Sequence, residues 1–230
     1  MRIHHPSCPS IWNGDDEFRP NAGAAEGKLN ALVFGAVFDS VGFQDDSLAA
    51  TYRQHLLNRP FGRTLRNPED GAARPVWRVE WNTEVSTREA LNSDFDFRRH
   101  IVNGRVLLPL SRHEEVRARA IAGWSSGVLP PQRLFSLGGI GTVHGYGFKE
   151  AVGDDLLLFN VEYALGRLNG PHIVPFFDAG RVWRPDGDTA WLHGVGFGLG
   201  LTRELRVDVG YKLDDIPGSV QVVLRLGHTF

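Results

Sequence analysis

The chain has a single cysteine in 230 residues, Cys8. No disulfide within the chain and no cysteine-based metal site can form. It has no apolar run approaching the roughly 18 to 20 residues of a membrane-crossing helix. Its start, MRIHHPSCPS, lacks the apolar core of a secretory signal, so none is expected there. An excess of charge is also lacking. Lys and Arg number 25 against 27 Asp and Glu, a net charge of −2, so no global field favours nucleic acid, and none is expected as a partner. G-x-S-x-G, H-E-x-x-H and Walker signatures are absent. His113, His172 and His193 stand alone, without metal-ligand spacing. No cofactor, no metal and no catalytic residue are expected. These absences exclude a helical membrane protein and a disulfide scaffold. They leave a membrane β-barrel open, because its alternating strands average to the mildly polar mean hydropathy found here.

What the chain does have is glycine in one unusual place. Leu137 to Phe148, LGGIGTVHGYGF, holds five glycines in twelve residues, with one His and no acid. Glycine at this density marks a sharply turning backbone that other groups can approach closely. The expectation is a long loop folded back on a sheet, with His144 as its polar contact and Tyr146 and Phe148 packed on the wall.

The flanking chain alternates with period two, the signature of strands with one apolar and one polar face. Trp77, Val79, Trp81, Thr83 and Val85 oppose Arg78, Glu80, Asn82 and Glu84. Similar runs follow at 95–110, 116–124, 157–165, 173–183, 195–201, 205–213 and 220–230. With Lys28 to Asp39 they make about nine strands. Most span about nine to twelve residues, longer than the average of about 5 to 6 in globular proteins. That is the length of a tilted membrane-crossing strand. Short turns alternate with long loops, and Trp124, Tyr163, Trp183, Tyr211 and Phe230 lie near strand ends like an interfacial girdle. Alternation alone does not say which face looks inward. Gly194, Gly196, Gly198 and Gly200 on one polar face favour an enclosed wall that must leave room. The fold class read from this is all-β, an antiparallel transmembrane β-barrel of long meander strands. Residues 1–27 read as a tail or severed connection, and 28–230 as the barrel domain. Ser47 to Asn58 reads as a short helix.

LGGIGTVHGY resembles the inward-folded sixth extracellular loop of the BamA/TamA family, the bacterial surface antigen family. FNVEY (Phe159 to Tyr163) and PFFDAGRVW (Pro175 to Trp183) are similar to the two strands that follow that loop. VVLRLGHTF is similar to the family's C-terminal targeting signal, with Leu224, Leu226, Gly227 and the terminal Phe230. The resemblance covers roughly residues 76–230. It implies a bacterial outer-membrane protein, in contact with outer-membrane lipid, that inserts or translocates unfolded outer-membrane protein clients. It also implies a loop motif of Gly138, Gly139, Thr142, Val143, His144, Gly145 and Tyr146, with lumen partners Glu162 and Asp178. The family's loop carries arginine where this chain has His144. A His144→Arg change is therefore expected to restore a charged pair and stabilise. The family's barrel has sixteen strands preceded by periplasmic POTRA domains. The chain is accordingly read as the C-terminal part of a larger barrel or a reduced member, with N-terminal strands or POTRA domains missing. A passive barrel without assembly activity is the alternative. A hydrolase built on His144, Asp178 and Ser136 is a remote one.

Overall fold

In the computed structural model the described residues are 25–40, 75–111, 113–139, 141–166, 170–184, 187, 191–202, 205–214 and 219–226. The helix expected at Ser47 to Asn58 and the end of the C-terminal signal, Gly227 to Phe230, lie outside them.

Period-two segments become strands in one antiparallel meander. They are β1 (Leu32–Asp39), β2 (Val76–Ser86), β3 (Phe97–Pro109) and β4 (Glu114–Gly127), then, after the glycine loop, β7 (Asp155–Gly166), β8 (His172–Trp183), β9 (Leu192–Gly200), β10 (Leu205–Lys212) and β11 (Val220–Leu226). Each pairs with its neighbour in that order, nine strands among the described residues. Two three-residue strands inside the long connection, β5 (Phe135–Leu137) and β6 (Ala151–Gly153), form a separate ribbon at the loop's neck. A four-residue helix, α1 (Arg88–Leu91), joins β2 to β3, capped by Thr87 and stopped by Asn92 in the left-handed region. Among the described residues β1 and β11 are the sheet's two unpaired edges.

The faces are inverted relative to a water-soluble sandwich. Phe197, Leu199 and Val222 are 45%, 48% and 67% exposed, while Asp178 and Asp208 are 1% and 0% exposed. Trp77, Trp81, Phe159, Phe177 and Leu224 continue the outward apolar surface across the sheet. An apolar face this continuous far exceeds what a soluble monomer shows water. It suits hydrocarbon, against which outward side chains are apolar and the inner face is polar.

The glycine column of β9 leaves room on the inner face, though mostly not for the loop. A Cβ at Gly198 would strike Arg206 and Asp208, one at Gly196 the Phe176 ring, and one at Gly200 the His172 ring. Only Gly194 lies under the loop, against the His144 backbone. The bare stretch of β9 thus lets large side chains from β8 and β10 lie flat across it.

Candidate functional site

The site is the glycine loop and the wall it touches. Its neck is closed by the β5–β6 ribbon. Its apolar part is anchored first: Val143 and Tyr146, both fully buried, join Phe135 and Leu137 against Leu158 and Val182. Gly145 has φ +86, and a Cβ there would meet the Lys212 backbone. Only glycine allows both that turn and that approach.

The polar contacts cross six neighbouring strands. Arg119 on β4 donates to the Gly141 carbonyl at 2.9 Å. Asn160 on β7 donates to the Thr142 carbonyl at 2.6 Å and to Asp178 Oδ1 at 2.7 Å. On β8, Asp178 Oδ2 accepts from the His144 backbone N–H at 3.1 Å and from Nδ1 of its imidazole at 2.5 Å. Beyond Gly194 on β9 and Gly210 on β10, both under His144, β11 completes the crossing. Gln221 accepts from the Gly145 N–H at 3.3 Å, Ser219 donates to the Gly145 carbonyl at 2.6 Å, and Arg225 donates to His144 Nε2. An arginine only donates, so Nε2 must accept and Nδ1 must carry the proton shared with Asp178. The ring tautomer is assigned by its partners.

Glu162 does not meet His144. It is held by Arg206 through a two-pronged pair, both arms at 3.0 Å, with Arg117 at 3.6 Å. Arg206 and Arg225 both pair with Asp208, and Arg117 with Glu115. A chain of alternating charge therefore runs from Glu115 through Glu162 and Asp208 to His144 and Asp178. It is nearly dry, as buried charge requires partners on every side. Period two places all these residues on the inner face, but it cannot show that Arg206 reaches across β9 and β8 to Glu162. Arg225 falls on the inner parity of β11, but parity says nothing of its contact with the loop.

Phe148 corrects the reading that both loop aromatics pack on the wall. It is 78% exposed, with Lys149 over its ring at 5.4 Å. The chain has already turned out at Gly147, whose N–H is held by Glu150 at 2.6 Å. Geometry also opposes the serine hydrolase: the Nε2 that would deprotonate a nucleophile is engaged by Arg225.

Tyr146 supplies a second tether at the loop mouth. Its hydroxyl bonds Asp214 and accepts from the His193 N–H at 3.0 Å. Burial, reinforced by the Asp214 bond, pushes the Tyr146 phenol above its ordinary value. Burial opposes ionisation of Asp214, but the bonds from Tyr146 and His193 outweigh it and hold that carboxyl below its ordinary range. For the phenol, raised in the fold, the contribution is complete below about pH 10 and fades as pH climbs through the folded value. For the carboxyl, depressed in the fold, it is complete above about pH 4 and fades as pH falls through the folded value. Loop protection from proteolysis at Lys149 is expected to be flat between about pH 5 and 9 and to drop on both sides. Tyr146→Phe is expected to cost about 1 kcal/mol at neutral pH, to abolish the alkaline drop and to shrink the acid drop, which His193 then sustains. An unchanged alkaline limb in that variant would assign the drop elsewhere.

No curated protein matches the chain. The Omp85 superfamily domain matches residues 65–230, which takes in β2 to β11, the loop and every inner-wall charge described above. Members of this superfamily are outer-membrane β-barrels that insert or transport proteins. With an inverted sheet, a loop drawn across its inner face and a match over most of its length, the chain belongs to the Omp85 superfamily.

Proposed function

We propose that this chain acts as an assembly barrel of the BamA/TamA type, accepting outer-membrane protein strands at the edge of β11. The observation that carries the reading is the meeting of the loop and the edge strand. Among the described residues β11 pairs with β10 along one edge and leaves the other open, and its inner face is fastened to the loop by Gln221 and Arg225, with Ser219 just before it. An open edge offers a row of backbone donors and acceptors that an incoming strand can pair with, the β-augmentation mode. A membrane does not tolerate such an edge without a partner. Nine antiparallel strands put β1 and β11 in the same direction, so the two edges cannot close antiparallel on each other. A strand antiparallel to β11 would come from outside these nine described strands, and a client strand is the occupant of this reading. The loop holds the inner wall from β4 to β11 while that edge exchanges partners. Free energy comes from the folding of the client.

The test uses vesicles holding the full chain and a urea-denatured outer-membrane barrel as client. Folding to the heat-resistant form is expected to be faster than into empty vesicles. A photo-crosslinker replacing Val222 is expected to capture that client. Equal folding rates with no crosslink would leave a passive barrel and end the assembly reading.

A further inference from the structure

Glycine inside a strand weakens it, and it is found where another group approaches closely. Among the described residues of the nine strands, every glycine but one points inward, and each of those has a neighbour pressed against it. A Cβ at Gly35 would strike the Asn82 side chain, one at Gly123 the Phe135 ring and one at Gly180 the Leu137 side chain. Gly104 on β3 is the exception. Register places it between Val79 and Ala120 on the outward face. A Cβ there would meet nothing closer than the Ala120 carbonyl, at 3.9 Å.

Gly104 lies on the floor of a groove of about 340 Å³ in that face. Ala118 and Ala120 on β4 complete the floor. Val79 on β2 forms one wall, and Phe159 and Val161 on β7 form the other. Phe159 and Val161 are exposed, as are Trp77 and Trp81 on either side of Val79, so both walls stand above the floor. Arg105, Arg119 and Asn160 also border the groove, but alternation turns their side chains inward, where they are buried. The outward lining is therefore apolar throughout.

We infer that this groove binds one acyl chain of a membrane phospholipid and keeps it while the surrounding lipids exchange. The outward face lies against hydrocarbon, so hydrocarbon is what meets a dent in it. A dent left empty would forfeit the dispersion contacts of its lining. Size separates a lipid chain from a protein segment. β2 and β7 are three strand spacings apart, roughly 14 Å between backbones. Val79 and Phe159 take up part of that width. A helix with its side chains, about 10 to 12 Å across, does not seat between them. An extended hydrocarbon chain does. The volume also lies at the small end of the roughly 300 to 1,000 Å³ of ligand cavities. The lining side chains carry no donor or acceptor, so the site reads the chain and not the headgroup. It rests on the membrane reading of the outward face but not on client assembly.

The full chain is reconstituted in phosphatidylcholine vesicles that contain phosphatidylcholine with a diazirine midway along one chain. It is then extracted, washed in detergent and irradiated, and labelled peptides are mapped by mass spectrometry. Wild type is expected to keep the lipid through the wash and to carry the label on β3 and β4. Gly104→Leu and Ala120→Leu raise the floor, and each is expected to lower the label by on the order of tenfold. Both are expected to fold, since a side chain at 104 enters open space. Ala118→Leu tests the same floor from its far end and is expected to act alike. Ala179→Leu, outward on β8 beyond Phe159, is expected to leave the label unchanged. Label lost from wild type on washing, or spread over the whole outward face, would reduce the groove to ordinary bilayer contact and overturn the proposal. Label that survives the floor changes would overturn it too, as would a second polypeptide retained there in place of lipid. The outward face is tested separately by insertion into pure phosphatidylcholine vesicles, where failure would remove the membrane reading itself and this site with it.

Discussion

Asp178→Ala is expected to cost about 3–5 kcal/mol, because it removes the acceptor around which the loop is fixed and leaves its partners buried. The carboxylate is 1% exposed and takes the His144 backbone N–H, the His144 ring and the Asn160 amide. Those three donors belong to buried residues, so the loss exceeds that of the bonds themselves. Arg225 would then face a histidine with nothing to orient it. Urea unfolding in detergent measures the loss. Amide exchange at His144 and Gly145 reports whether the loop has left the wall. Asp178→Asn keeps one carbonyl acceptor and is expected to cost about half as much. Exchange protection of the loop that survives Asp178→Ala would show that the apolar anchors Val143 and Tyr146 hold it unaided.

The placement of Asp178 was legible because β8 alternates without interruption: Phe177 and Ala179 face out, Phe176 and Asp178 face in. The same holds for Phe159 and Asn160 on β7. Strong alternation fixes the face of each residue, and in a meander it also fixes the neighbouring strands. It carries no information about reach. Glu162 lies on the inner face as its position predicts, yet Arg206 takes it, because a guanidinium on a long stem crosses a strand stripped of side chains. The β5–β6 ribbon was invisible for a different reason: three residues are too few to show a period. Phe148 read as a wall contact because loop aromatics seek burial, but the turn that ejects it depends on backbone angles that composition does not encode.

His144→Arg is expected to destabilise by about 2–3 kcal/mol, the reverse of what the resemblance alone implies. The guanidinium that the resemblance would place in the loop is supplied here from the wall, by Arg225 on β11. An arginine introduced at 144 would still find Asp178, but its far side would press a second guanidinium against Arg225, and neither can accept a proton. Imidazole resolves this by donating from one nitrogen and accepting at the other. The same logic predicts the rescue. Arg225→His alone removes the cation from β11 and loosens Asp208. Combined with His144→Arg it returns one guanidinium and one imidazole to the same space, with their elements exchanged. The double variant is expected to be more stable than the sum of the two single losses by about 1–3 kcal/mol. A purely additive result would mean that the loop and the last strand are held independently. Coupling would mean that moving β11 away from its neighbour also strips His144 of its partner, so the edge that receives a strand and the loop that braces the wall respond together.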